Sequence, residues 1–591
     1  MFFLRKRIIL AFLLISASLV GKLSYSVKFS GLEEDPETLS ILKKSSTLLN
    51  MKNTPPRSIN ALHFRADEDI TSLQKVLKSF GYYDARIQSS IFENEKKATV
   101  LLIISPGVRY QLKTYHIFQK TEKSQSPYCF CENFPLKDID IQLNVPITNE
   151  KIATTRLKIL YYYASNGYPL AQIDKQDVLA DVSSKTVHIK VYVDKGPKCE
   201  FGTVSILGIQ NIKPEFIDKK IQWKEGETYS TNLIEKSQQK LLKSNLFSSV
   251  MISHGGKLTP EGELPIKIHV VESKHRNINL GFSYATVDGP GVSFGWANQN
   301  IGQTGQLLSL QGNIAEKSHT GVLTYKKPDF YVEDQTYAFQ LLALREKIFP
   351  YNSQSYQAVT RIERKASNHF IYMIGVQAEK TTITESANNG RYILFGMPVT
   401  LKYSTANNLM NPTEGWTINY FTTPYVDSEN SSFFLQQKLL GETYFTYLKS
   451  KRLTLAFRME GESVAGSPRD DIPLTKLSLG GSDVDLRGYK FKSVSPLSPD
   501  KKPYGGRSAI FGSFEPRIMM TDTIGFVPFF DIGTVSNKQF PTIFKKWYKS
   551  TGFGFRYFSF FGPIRFDIGF PLDRRSVDPA FRIYVSIGQT F

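Results

Sequence analysis

The residues best placed to do chemistry are one arginine and two carboxylates in the C-terminal part of the chain. Arg487 lies in Gly480-Gly481-Ser482-Asp483-Val484-Asp485-Leu486-Arg487-Gly488-Tyr489, where glycines on both sides let a loop bend sharply. Further on, Phe511, Ser513, Glu515 and Arg517 alternate with Ile510, Gly512 and Phe514, so a strand here carries Glu515 on one face. Asp531 and Gly533 alternate in the same way with Phe530 and Ile532. Two such strands side by side aim Glu515 and Asp531 at a common interior. A planar guanidinium bridges two carboxylates at once, and an arginine taken out of water requires such partners. The chemistry this set offers is a non-covalent lock on a loop. The plainer alternative is three separate charges solvated by water.

Little points to covalent catalysis. The chain has no His-Glu-x-x-His pair and no phosphate-binding loop, and its eight histidines are scattered. Carboxylates lie singly or in short runs such as Asp67-Glu68-Asp69, which read as surface. The expectation is a protein that is not an enzyme and uses no cofactor or metal; an active site assembled from distant residues is the alternative. Cys129 and Cys131 are too close for an easy mutual bridge, so one of them could pair with Cys199, leaving an odd thiol.

The elements that must position the lock fall into three parts. Arg5, Lys6 and Arg7 precede an apolar run from Ile8 to Val20, and Ser24 and Ser26 supply small residues. This is the pattern of a secretory leader over 1–26, cut after Ser26; a membrane anchor would need a longer run. Formal charge is +19, and losing Arg5, Lys6, Arg7 and Lys22 with the leader leaves about +15. An exported chain without a compact basic motif argues against nucleic acid. It leaves anionic lipid or acidic partners, beside the bland reading of a solvated basic surface.

Residues 27–108, 109–198 and 199–274 read as three repeats of a small α+β module. Ile70, Leu73, Val76, Leu77 and Phe80 recur at helical spacing before Gly81-Tyr82-Tyr83, and a second helix near Ile152 to Ala164 stops at Gly167-Tyr168-Pro169. Strands follow at Ala98–Ile104 and Thr186–Val193; the third repeat has a strand at Phe201–Ile206, a helix near Asn232–Ser244 and a strand at Pro265–Glu272. From Asn277 the period changes to two. Ile278, Leu280, Phe282 and Tyr284 alternate with polar or small residues, as do Leu453 to Met459 and Ile564 to Phe570, whose other face carries Arg565, Asp567 and Gly569. With 30 Tyr and 42 Phe in the chain and mean hydropathy −0.24, residues 275–591 fit a transmembrane barrel of about sixteen antiparallel strands better than a soluble sandwich. Closing such a barrel requires the first strand, with Leu280 and Phe282, to meet the last, with Val585, Ile587 and Gly588.

The Gly480–Tyr489 stretch resembles the inward-folded sixth loop of the bacterial surface antigen superfamily, outer-membrane barrels that insert or export proteins. Gly505-Gly506-Arg507 through Glu515, and Phe529-Phe530-Asp531-Ile532-Gly533, resemble the wall motifs that receive its arginine. The three repeats resemble POTRA modules. Pro412-Thr413-Glu414-Gly415 resembles a further loop motif, although Asn407 and Asn408 stand where the family has Asp and Arg. The ending Ile587-Gly588-Gln589-Thr590-Phe591 resembles the superfamily's Gly-Gln-x-Phe, a terminal aromatic that serves as an assembly signal.

The resemblance implies periplasmic POTRA repeats ahead of an outer-membrane barrel, with Arg487, Gly488, Tyr489, Glu515 and Asp531 forming the loop lock. It implies an insertase that templates client strands at a lateral seam. The implied partners are outer-membrane lipid and unfolded outer-membrane or autotransporter-like clients. Three repeats resemble the TamA-like branch most, with an inner-membrane-anchored TamB-like partner. The alternatives are a passive channel, a two-partner-type exporter or a secreted adhesin.

Overall fold

The computed structural model describes residues 23–94, 97–121, 128–132, 134–285, 289–447, 452–541, 546–560, 562–587 and 589–591. Two compact units emerge. One runs to Leu207 and takes in Lys220–Lys240 and Met251–His269; the other comprises Gly208–Lys219, Leu241–Val250 and Val270–Phe591.

In the first module, strand Ser24–Ser30 pairs in parallel with Lys97–Ser105, whose other edge pairs with Arg86–Asn94. Helix Ile59–Ser79 starts at Ser58, whose side chain accepts from the Ala61 N–H, and is followed by Gly81 at φ +91°. Its buried residues Leu62, Ala66, Leu73 and Leu77 pack against Val100, Leu102 and Ile104. Asp69 falls on the same inner face and corrects the surface reading of its acidic run. It is buried, accepts from Ser46 Oγ at 2.6 Å and from the Thr47 N–H at 2.7 Å, and so caps the short helix Thr47–Asn50. Helical spacing, not charge, decides where Asp69 points.

The expected cut after Ser26 would fall within strand Ser24–Ser30. A cut after Ser26 would remove Tyr25, which is buried and donates its hydroxyl to the Leu48 carbonyl at 2.7 Å. Residues 1–22, where a leader is expected, lie outside the described residues.

The second module is a four-stranded sheet in the order Tyr128–Phe130, Gln111–Lys120, Thr186–Asp194, Gln172–Asp181, with helix Asn149–Ser165 burying Ile152, Ile159 and Tyr163. The third has the order Glu200–Leu207, Glu263–Glu272, Phe247–His254, with helices Pro214–Asp218 and Thr231–Lys243. All three cysteines are free, so the bridge to Cys199 does not form. Cys199 is buried, while Cys129 is exposed.

From Arg276 the chain forms one antiparallel sheet of seventeen strand segments. Gly390–Gly396 and Val399–Ser404 each pair with Phe370–Thr384 on one side and Gly415–Asp427 on the other. They are halves of one strand interrupted at Met397-Pro398, where proline offers no N–H to the ladder. The wall therefore has sixteen strands. No helix among the described residues is long and apolar enough to cross a membrane, which says nothing of strands.

Outward side chains are apolar, as period-two alternation requires: Leu280 and Phe282 are 81% and 94% exposed. The inward face departs from the expected polarity at one end. Tyr392, Leu394, Tyr425, Phe434 and Val464 point in and pack on Ile472, Leu474 and Leu477 of the connection 467–507. That connection folds back into the barrel, so these inward positions meet protein rather than water.

Candidate functional site

The lock is built from three neighbouring strands and the long connection. Strand Ser508–Met519 pairs with Ile524–Ser536, and that with Tyr548–Ser559; Ser513 lies opposite Asp531, and Asp531 opposite Ser550. Alternation turns Phe511, Ser513, Glu515 and Arg517 inward, all buried. The connection delivers Arg487 to them. Its turn is held by Asp485 Oδ1, which accepts from the Gly481 N–H at 3.0 Å and the Ser482 N–H at 2.6 Å. Arg458 Nη1 adds a bond to the Val484 carbonyl at 2.7 Å.

Arg487 is wholly buried. Its Nε and Nη2 donate to the two oxygens of Asp531 at 2.8 and 2.7 Å, a bidentate pair, and its own N–H donates to Asp531 Oδ2 at 3.2 Å. Nη1 donates to Glu515 Oε1 at 2.6 Å and to Asp567 Oδ2 at 3.3 Å. The guanidinium lies over the Phe529 ring, 3.4 Å from its centroid. Gly488 follows at φ +95°; a Cβ there would sit 2.9 Å from Gly569 and Pro571 backbone atoms, so loop and wall touch through glycine. The Gly488 N–H donates to Tyr584 Oη at 2.9 Å, and Tyr489 Oη donates to the Lys549 carbonyl at 2.7 Å.

The expected set Arg487, Gly488, Tyr489, Glu515 and Asp531 thus comes together. Sequence reasoning missed the rest of the cluster. Asp567 joins Arg487 and also pairs with Arg556; Arg517 donates to Glu515 Oε2 at 3.1 Å; Arg565 donates to Asp483 Oδ2 at 2.6 Å. The alternation of Arg565 and Asp567 with Ile564, Phe566 and Ile568 was the available signal.

Of the seam residues, Leu280 and Phe282 stand exposed on the first strand, Arg276–Ala285, and Val585 on the last, Arg582–Ile587. Ile587 pairs with Ile564 through its backbone, and Gly588 lies outside the described residues. The two strands were expected to pair. Among the described residues no ladder joins them, and the sheet runs from the first to the last without closing. Phe591 is turned to the lumen, where its main-chain oxygen accepts from Arg517 Nη2 at 2.6 Å.

Asn407 and Asn408 organise their turn. Asn407 Oδ1 accepts from the Thr413 N–H at 3.1 Å, and Asn408 Oδ1 from the Met410 N–H at 2.8 Å. One Gly-x-Ser-x-Gly string occurs, Gly291-Val292-Ser293-Phe294-Gly295, but it lies within strand Gly289–Ile301 and Ser293 Oγ donates to the Gly281 carbonyl. It is wall, without the strand-to-helix turn a nucleophile of that motif needs.

Residues 300–591 match the family model of the Omp85 superfamily domain, and residues 200–273 match that of the surface antigen variable number repeat, the POTRA module. The chain belongs to the Omp85 superfamily. It is 21% identical over 556 residues to the outer membrane protein assembly factor BamA of Nitratidesulfovibrio vulgaris, covering 89% of this chain and 68% of that one. It is 20% identical over 586 residues to BamA of Neisseria meningitidis serogroup B, covering 89% and 72%. The crystal structure of Haemophilus ducreyi BamA lacking POTRA domains 1–3 superposes with a TM-score of 0.69 at 16% identity, covering 81% of this chain and all of that one, a likeness of fold. As an Omp85 protein the chain is an outer-membrane β-barrel whose POTRA modules lie in the periplasm.

Proposed function

We propose that this Omp85 protein is an insertase that assembles client barrel proteins by offering a free strand edge at its seam. The observation that carries the reading is the missing ladder between Arg276–Ala285 and Arg582–Ile587 among the described residues. Unpaired edge N–H and C=O groups template another strand. The exposed apolar side chains of Leu280, Phe282 and Val585 let a strand join that edge in contact with lipid. Relatives that are outer membrane protein assembly factors support the same reading. The work is non-covalent: it lowers the barrier to placing strands in a bilayer.

A standing open channel fits less well, because Ile472, Leu474 and Leu477 pack inside the barrel. Three POTRA-like modules support the TamA-like branch and, with it, a TamB-like inner-membrane partner and autotransporter-like clients; module count is the support for that finer assignment. Depletion of the protein followed by comparison of outer-membrane proteomes tests the reading. Loss of barrel proteins is expected, and unchanged levels would refute it.

A further inference from the structure

The lipid-facing side of the wall changes chemistry at one end of five neighbouring strands. The chain passes from the periplasmic modules into the wall at Arg276, so its first strand runs outward and the later ones alternate in direction. The turns 316–317, 349–350 and 385–389 therefore lie at the outer end, as does the connection 467–507. Just below these turns His319 stands opposite Arg345, Arg345 opposite Gln354, Gln354 opposite Thr382, and Thr382 opposite Arg391. This is one row across five strands, from Ser318–Lys327 to Gly390–Gly396. Lys347 lies two residues above Arg345 on its strand, and Lys380 two residues below Thr382.

The inward neighbours fix the facing. Glu346 pairs with Lys492 of the connection, Glu379 accepts from Lys476 of the connection at 2.7 Å, and Tyr392 packs on that connection too. Alternation then turns Arg345, Lys347, Lys380 and Arg391 outward, and all four are exposed. Among the described residues none of the four joins an ion pair. Cations on a lipid-facing strand are costly at the bilayer midplane and cost little at its edge, so the row marks the level of the headgroups. It is local. On the strands further round, the outer end carries Val426 opposite Phe433 and Leu435 opposite Ala465.

Two grooves meet at the row. A polar one of about 610 Å³ is bordered by Arg345, Lys347, Gln354, Thr382 and Thr384; Glu385 and the inwardly engaged Glu346 also border it. An apolar one of about 540 Å³ lies on the membrane side, lined by Leu310, Leu341, Ala343, Ala358 and Ala378, with Lys380 at its margin. Unpaired cations above an apolar groove match a lipid with a phosphorylated headgroup.

We propose that this face holds an outer-leaflet glycolipid carrying two phosphate groups. Arg345 and Arg391 grip the phosphates, which guanidinium groups hold in bidentate fashion. Spread over three strand spacings, roughly 14 Å, they suit two phosphates rather than one. Lys347 and Lys380 add charge above and below, the lysine stems lying along apolar surface. Gln354, Thr382 and Thr384 offer hydrogen bonds to sugar hydroxyls, and acyl chains occupy the apolar groove. Neither seam strand contributes to the site, so the inference goes beyond the insertase reading and does not depend on it.

The test is lipid binding by the full-length protein in detergent micelles, with adducts counted by native mass spectrometry. The probes are an acylated glucosamine disaccharide with two phosphates, the same lipid with both phosphates removed, and phosphatidylglycerol. The parent is expected to bind the first at least tenfold more tightly than either other. Each cation close to an anionic headgroup is worth about a fivefold factor. Arg345→Gln/Lys380→Gln/Arg391→Gln should therefore weaken binding of the first probe by tenfold or more, and Arg391→Gln alone by about fivefold. Lys501→Gln/Lys502→Gln/Lys538→Gln removes the same charge from exposed positions at the same end and should bind as the parent does. Heat-modifiable mobility on electrophoresis confirms that each barrel is folded. Parental binding by the folded row variants, an equal loss in the control variant, or equal affinity of the parent for the dephosphorylated lipid or for phosphatidylglycerol would overturn the site.

Discussion

Removing the Arg487 side chain should damage the barrel far more than any one of its partners, and unequally among them. Among the described residues Arg487 is the one cation within ion-pair distance of Asp531, whereas Glu515 keeps Arg517, and Asp567 keeps Arg556 and Arg565. Arg487→Ala therefore strands one fully buried carboxylate, Asp531, while the other two retain partners. Breaking a buried pair from one side costs about 3–5 kcal/mol, and loss of the stacking on Phe529 adds roughly 1 kcal/mol. Asp531→Asn leaves Arg487 bonded to Glu515 at 2.6 Å and Asp567 at 3.3 Å, so its cost should be smaller, about 1–3 kcal/mol. The double variant no longer buries an unpaired carboxylate, so it should fall short of the sum by about 1–3 kcal/mol. Arg487→Lys should behave closer to alanine than to arginine, because an ammonium cannot grip both Asp531 oxygens and reach Glu515. Urea unfolding of the vesicle-bound barrel, followed by tryptophan fluorescence, measures all four. Additivity within about 0.5 kcal/mol would refute the lock as a unit.

Gly488→Ala should cost as much as losing the lock, since its Cβ meets backbone and not a movable side chain; the same unfolding assay checks it. Asp69→Ala should destabilise the first module by roughly 1–3 kcal/mol through the lost cap and the orphaned Ser46 and Thr47 donors, read as loss of amide-exchange protection over 24–105. Asp84 joins the first two modules by accepting from Lys185 Nζ at 2.6 Å and Tyr110 Oη at 3.0 Å. The Lys185 and then the Tyr110 hydrogen bonds hold its carboxyl below the usual value. Its contribution is thus present above the unfolded value of about 3.9 and lost as pH falls through the lower folded one. The difference in melting between parent and Asp84→Asn should shrink on acidification below about pH 4; a constant difference would contradict this.

Much of the architecture was legible because periodicity reports burial. The helices Ile59–Ser79 and Asn149–Ser165, and the switch to strands at Arg276, follow from where apolar residues recur. Glu515 and Asp531 were legible because alternation fixes the face a side chain takes. What alternation does not fix is depth along the wall. That depends on stagger between strands, so Arg565 and Asp567 were visible on one face of their strand but not as members of the lock. Tyr392, Leu394 and Phe434 look inward yet apolar for a reason no local pattern carries, the connection packed against them. Ser24–Ser30 was hidden by the leader pattern it adjoins. Tyr128–Phe130 is three residues long, too short for a period to show. The inward course of Gln589–Phe591 depends on arginines contributed by other strands and on a turn remote in sequence.

The central claim is that the seam must open. Cysteines at Leu280 and Val585, or at neighbouring positions found by scanning the register, are oxidised to a disulfide in the background lacking native thiols. Assembly of a client barrel into vesicles is then followed by acquired protease resistance. The account predicts that the oxidised protein fails and that reduction restores assembly to the parental rate. Equal assembly by a fully crosslinked seam would contradict it.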